Sequence, residues 1–407
     1  MFAWLDAGLN LPYVKEFIAA IVAVAGFAYT CYRCGRRIGS EADRAEIEHL
    51  KSEIEVLDGT RASLGARLFE LERVVKDPKD FWLRSPSPEQ IAEQQAALNS
   101  SVPIICVVNF KGGVGKTTIC ANLGAYFAER GKRVLLIDCD YQGSLSDTVM
   151  THAGIVDYRG SAYMLIEGEN NPEVTRAAAE RVSSIDSRMW IYPAFYDFSR
   201  SEVKMMFRWL VGQDSEIRYN LSQYLQSPPF KTEAETGFDI VLIDAPPRLL
   251  TGVVNSLVAS THVLIPTILD GQSHLATINT VMAIQQFKQK LNPGLKLLGV
   301  VPSMVATASG YNDREAHFIS ELERQLGEIG EGPVPILKSR PVWRREELAK
   351  AGGSEIIYRR DSNSAATRGI REMFATLGEY VEQNVRWRQT VEPDFAVPGR
   401  PKIRVAQ

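Results

Sequence analysis

Along the chain the apolar positions change their spacing, and each change predicts a different element. Phe17 to Tyr32 is apolar and uncharged. At 1.5 Å per residue it covers about 24 Å, and counted from Leu11 the helix reaches about 33 Å, enough to cross a bilayer. The extension includes Lys15, which can snorkel, and Glu16 beside it. Arg33, Arg36 and Arg37 follow the run, so the positive side is C-terminal and the remainder is expected in the cytoplasm. A core helix is the alternative reading. From Ile47 the spacing becomes three and four, through Ile47, Leu50, Ile54, Leu57, Leu64, Leu68, Leu71 and Val75, with Arg61 on the seam. That pattern predicts a two-stranded coiled coil, the alternative being an amphipathic helix packed on its own domain. Gly59 and Gly65 weaken either helix.

After a Pro- and Ser-rich stretch with a helical piece from Pro88 to Leu98, the pattern changes to short continuous apolar runs alternating with helical periods. Ile104–Val108, Val134–Ile137 and Ile240–Ile243 read as buried strands, and Met189–Ala194, Val263–Pro266, Leu297–Val301 and Val334–Leu337 as further short ones. The fold class expected is α/β, a doubly wound, mostly parallel sheet. The boundaries are an N-terminal segment at 1–38 with a transmembrane helix at about 11–32, a coiled-coil helix at 39–78, a linker at 79–102, an α/β domain at 103–385 and a flexible tail at 386–407. In the linker, Phe81 and Trp82 are expected to dock on something.

Candidate chemistry sits where the first buried run stops. Ile104 to Asn109 is followed by Phe110-Lys111-Gly112-Gly113-Val114-Gly115-Lys116-Thr117-Thr118 and then a helical period. Strand, glycine-rich loop and helix in that order make a P-loop, whose backbone N–H groups and helix N-terminus cradle phosphate. Gly112, Gly113, Val114, Gly115, Lys116, Thr117 and Thr118 form the expected nucleotide cradle. Lys116 would reach the β- and γ-phosphates, and the Thr117 hydroxyl would ligate Mg²⁺. Two further runs end in carboxylates, Asp138-Cys139-Asp140 and Asp244-Ala245-Pro246-Pro247. Ligands bind at the carboxyl edge of a parallel sheet, which brings these acids toward the P-loop. Asp244 is the expected outer magnesium carboxylate, acting through water. Arg248 follows it.

The loop Lys111-Gly-Gly-Val-Gly-Lys-Thr-Thr118, with its second lysine at the entrance, resembles the deviant Walker A loop of the ParA/MinD family of dimerising ATPases. The resemblance runs from about Pro103 to Tyr380 and is loose toward the end. It implies that Lys111 crosses a dimer interface to the partner's nucleotide, that Asp140 holds the attacking water and that Asp138 supports the magnesium shell. Tyr141 stands where the family usually has proline. ATP and Mg²⁺ are the implied ligands, and the implied reaction is slow, partner-stimulated ATP hydrolysis in a homodimer.

Composition narrows the function further. A formal charge of −3 argues against general nucleic-acid coating, although Arg340, Arg344, Arg345, Arg359 and Arg360 offer a local route to DNA, a less favoured partner. Five cysteines, none beyond Cys139, supply neither a disulfide framework nor cluster ligands. Cys31 and Cys34 lack a second pair to complete a metal site. The expected function is a single-pass, inner-membrane ATPase that switches as a dimer and positions, tethers or regulates a protein partner. The alternatives are a bacterial tyrosine kinase with related Walker motifs, disfavoured because no tyrosine cluster follows Tyr380, and an ATP-binding scaffold in a membrane defence or secretion complex.

Overall fold

The computed structural model describes residues 26, 41–76, 81–84, 86–99, 102–168, 170–210, 217–231, 237–307, 310–329, 332, 334–351, 354–362 and 364–387. The expected membrane helix, Gly26 apart, lies outside these residues, as do Cys31, Cys34 and 388–407 of the expected tail; Trp387, placed in that tail, instead packs on Phe127 at 6.0 Å between ring centroids and donates to Glu382 O at 3.0 Å. Among the described residues no helix is long and apolar enough to cross a membrane. The chain divides into two compact units, 1–81 and 82–407.

In the first unit, α1 (Glu41–Lys76) runs as one helix of 36 residues. Gly59 and Gly65 do not interrupt it, and a Cβ at either would meet nothing within 4 Å. Of its seam residues, Leu50 and Leu57 are each 43% exposed, and Ile47 and Ile54 are partly covered.

The second unit begins within the expected linker, whose described residues 82–84 and 86–99 pack into the domain instead. Trp82 and Leu83 are buried. Trp82 stacks on Trp209 at 5.8 Å between ring centroids, and Arg218 donates to the Trp82 carbonyl at 3.1 Å. Next comes α2 (Pro88–Asn99), opened by a reciprocal cap in which Ser87 Oγ accepts from Gln90 N and Gln90 Oε1 accepts from Ser87 N. Proline at the first helical position suits that start. Gln94 is buried and donates to Ser222 Oγ and Val258 O, so α2 is bonded into the domain. Polar composition hid this docking, because its contacts lie more than a hundred residues away.

The remaining elements used below are β1 (Ile104–Val107), α3 (Lys116–Glu129), β2 (Val134–Asp138), α4 (Ser144–His152), β3 (Glu180–Arg181), β4 (Met189–Tyr192), α5 (Tyr196–Leu210), β5 (Ile240–Asp244), α6 (Thr251–Ala259), β6 (His262–Ile268), α7 (Gly271–Lys290), β7 (Lys296–Val305), α8 (Asp313–Glu328), β8 (Val342–Trp343) and α9 (Ala365–Asn384). The strands form one sheet in the order β3-β4-β2-β5-β1-β6-β7-β8. Every pairing is parallel except β3 with β4. All residues of β1, β2 and β5 are buried, as helices on both faces require. The chain leaves β1 for β2 on one side and enters β6 on the other, so a crevice opens at the carboxyl end of β1. α9 crosses α3 closely at Gly378, where a Cβ would run into the Tyr126 ring.

Candidate active site

The loop after β1 is shaped by local bonds before any ligand is considered. Asn109 is fully buried, donates to Pro266 O at 2.8 Å and accepts from Lys111 N at 3.0 Å, which turns the chain out of the sheet. Gly113 and Gly115 have φ of 74° and 91°, a left-handed backbone that a side chain would strain. Ser303 on β7 donates to Val114 O at 2.7 Å and pins the loop from the side. The first N–H groups of α3 therefore face an open loop rather than a side-chain cap, since Gly115 occupies the N-cap.

Five sequence-predicted residues converge here. Lys116 is 7% exposed and its Nζ donates to Lys111 O at 3.2 Å. Burial lowers its pKa, while Asp244 and Asp140 pull the other way. Thr117 Oγ1 donates to Asp244 Oδ2 at 2.6 Å. Asp138 accepts from Ser146 N and Oγ with one oxygen and from Asp140 N with the other. Asp138 thus ties the turn that carries Asp140 to the start of α4. Asp140 is half-buried and accepts from Gln142 N at 3.0 Å. Burial, then the neighbouring Asp138 charge, pushes the Asp244 acid well above the usual carboxylate range, and burial does the same to Asp138.

Lys111 is held apart from this group. Its Nζ contacts Asp270 Oδ1 at 3.2 Å and Ser273 Oγ at 2.8 Å, within its own chain. Asp270 also caps α7 by accepting from Ser273 N. Sequence reading missed this counter-ion, although Asp270-Gly-Gln-Ser273 carries the pattern of a helix start. Ser146, the partner of Asp138, had no signal at all. Thr118 lines a cavity of about 300 Å³ with Asn122, Thr148, Leu348 and Glu355. The arginines offered as a DNA route are partly occupied by internal pairs: Arg359 with Asp186, Arg360 with Glu355.

The donor set fits a hydrated divalent cation. Asp244 Oδ1 is buried without a hydrogen-bond partner, beside the Thr117 hydroxyl. Among the described residues no group of three or more His, Cys, Asp or Glu can hold a metal. A site of one hydroxyl and one carboxylate suits Mg²⁺, which keeps waters and phosphate oxygens in its shell.

A family model described as an AAA domain matches residues 102–297. The chain is 32% identical over 207 residues to the chromosome-partitioning ATPase Soj of Thermus thermophilus, covering 51% of this chain and 71% of that one. The chain belongs to the ParA/Soj family of P-loop ATPases. Another relative, the chromosome partitioning protein ParA of Caulobacter vibrioides, is 31% identical over 220 residues, covering 53% of this chain and 76% of the relative. The fold is also that of a Cyanothece McdA in complex with ATP, with a TM-score of 0.55 at 18% identity over 70% of this chain and 97% of that one. As a ParA/Soj protein the chain is an ATPase with ATP and Mg²⁺ as its ligands. Its second lysine, Lys111, stands at the loop entrance with its amine on Asp270.

Proposed function

We propose that this chain is a membrane-anchored, dimeric nucleotide switch of the partitioning and positioning kind. ATP would lie along the 112–118 loop, with backbone N–H groups on its phosphates. Lys116 would leave Lys111 O for the β- and γ-phosphates, and Thr117 and Asp244 would hold the cation. When bound, Mg²⁺ supplies charge neutralisation at the transferred phosphate. Asp140, on a turn fixed by Asp138 and Ser146, would orient the attacking water. Lys111 would exchange Asp270 for the nucleotide of a second copy, so that the site is complete only in the dimer. The carrying observation is the pair of lysines, one folded across the loop and the other held on a carboxylate it can leave.

The exposed seam leucines of α1, Leu50 and Leu57, support a coiled coil that keeps two ATPase units at high local concentration. The apolar run at 11–32 supports a single span of the inner membrane with the ATPase on the cytoplasmic side. A protein partner would then read the nucleotide state. Lys116→Ala is expected to abolish ATP binding by equilibrium dialysis; unchanged affinity would refute the assignment.

A further inference from the structure

Helix α5 carries a buried acid that the reaction described above does not use. Glu202 is 6% exposed, and its Oε1 accepts from Gly252 N at 3.0 Å. Among the described residues no cation pairs with it. Burial, and to a lesser degree the Asp140 charge, raises its acid to about 7 against the pull of the Gly252 N–H. A buried carboxyl without a counter-ion is costly, so its place here calls for a reason.

The reason lies in what it holds. Gly252 is the second residue of α6, the helix that follows Asp244, and Leu250 at the N-cap offers that helix no side-chain cap. Glu202 supplies the missing acceptor from another helix, where a carboxylate also suits the helix dipole. A Cβ at residue 252 would meet Cys139 O at 2.9 Å and Glu202 Oε1 at 3.1 Å, so this glycine is pressed between α5 and the exit of β2. Cys139 N in turn donates to Asp244 O at 2.9 Å. The segment from Asp244 to Gly252 is therefore fastened at one end by Thr117 and at the other by Glu202. Helix α5 is a firm base for this grip: Phe198 is buried, Ser201 bonds Glu167 at 2.7 Å, and Trp209 is enclosed by Trp82 and the Arg218 guanidinium.

We propose that Glu202 is a positioning residue for ATP hydrolysis, holding the N-terminus of α6, and through it residues 245–251, in register with the Asp140 turn. The proposal rests on the ATPase reading given above. Displacement by about 1 Å near reacting groups costs up to about a hundredfold in rate, which sets the scale.

The test uses the full chain with Glu202→Ala, Glu202→Gln and Glu202→Asp, reading kcat, ATP dissociation constant and hydrogen exchange at residues 251–254. Alanine is expected to lower kcat about tenfold or more with ATP affinity within about twofold, and to speed exchange at Gly252. Glutamine keeps an oxygen for the Gly252 N–H and is expected to recover most of the rate and protection. A wild-type kcat in the alanine variant overturns the proposal, as does an equal loss of kcat and affinity in alanine and glutamine alike. Should the alanine variant not fold, aspartate decides: its shorter reach is expected to lower kcat at unchanged affinity, and a wild-type kcat overturns the proposal. A wild-type chain that neither binds nor hydrolyses ATP would instead bring down the proposed function, and this proposal with it.

Discussion

Helices α1 and α3 are both regular and uninterrupted, yet their surroundings are opposite. Eleven of the fourteen residues of α3 are buried, including Lys116 and Asn122. On α1 even the seam leucines Leu50 and Leu57 are nearly half exposed, and Val56 is 66% exposed. One helix is held by the sheet beneath it and by α9 above it. The other has regular apolar spacing, yet two of its seam leucines stand open. The difference teaches that periodicity signals a buried face only when something supplies the other side: α3 has the sheet and α9, whereas Leu50 and Leu57 present an apolar edge that a second copy of α1 would cover.

The contrast breaks most sharply at Lys116, on the first turn of α3. Its replacement by alanine is expected to weaken ATP binding at least about a hundredfold, because its ammonium is the charge placed to neutralise the β- and γ-phosphates. A parallel substitution separates the helices by stability. Leu123→Ala, in α3 and fully buried, is expected to cost about 2–5 kcal/mol in denaturant unfolding. Leu50→Ala, in α1, is expected to leave that transition in place. An equal loss for both would mean that α1 is buried against the domain after all.

The seam itself is tested by charge. Leu50→Glu combined with Leu57→Glu is expected to abolish self-association measured by analytical ultracentrifugation without nucleotide, while each subunit still binds ATP. Association that survives both changes would remove the coiled coil and leave dimerisation to the nucleotide face. Lys111→Ala should then lower hydrolysis about tenfold or more at nearly unchanged ATP affinity, since its contribution is reserved for the closed dimer.

Much of α3's neighbourhood was legible in sequence because it is local. The glycines at 113 and 115, the lysine, the threonine and the strand ends at Asp138 and Asp244 follow one another along short stretches. What escaped reading depends on residues brought together from afar. Lys111 meets Asp270 across 159 positions, and Arg218 meets the Trp82 carbonyl across 136. Glu202 carries no signal in the sequence, and only its place beneath Gly252 distinguishes it. The antiparallel edge strand β3, Glu180–Arg181, is too short and polar to carry a strand signal.

The smallest expected effect concerns the acids at the carboxyl edge near α3. Asp244 is raised to about 8, chiefly by burial and then by Asp138. Its folded pKa thus exceeds the unfolded value of about 3.9, so it contributes stability that is complete below about pH 4 and is lost as pH rises toward 8. His152 and His262 run the other way: burial lowers both, so their contribution is lost as pH falls below about 6.5. Asp186 and Asp270 are lowered by their hydrogen bonds and ion pairs against the opposing effect of burial, and their contributions are already complete above about pH 4. Between pH 7 and 8 the histidine and lowered-acid terms are therefore flat, and the raised acids are left to set the slope. Without nucleotide, the melting temperature of the ATPase unit is expected to fall over that interval by about 2–4 °C. A magnesium-bound, non-hydrolysable ATP analogue should flatten the slope, because a cation beside Asp244 favours its charged form. Asp244→Asn should flatten it with no nucleotide at all and raise the melting temperature at pH 8 while reducing hydrolysis, the mark of an acid kept for function at the expense of stability. A melting temperature that rises from pH 7 to 8 without nucleotide would show that Asp244 is already ionised there and held by a partner other than Thr117.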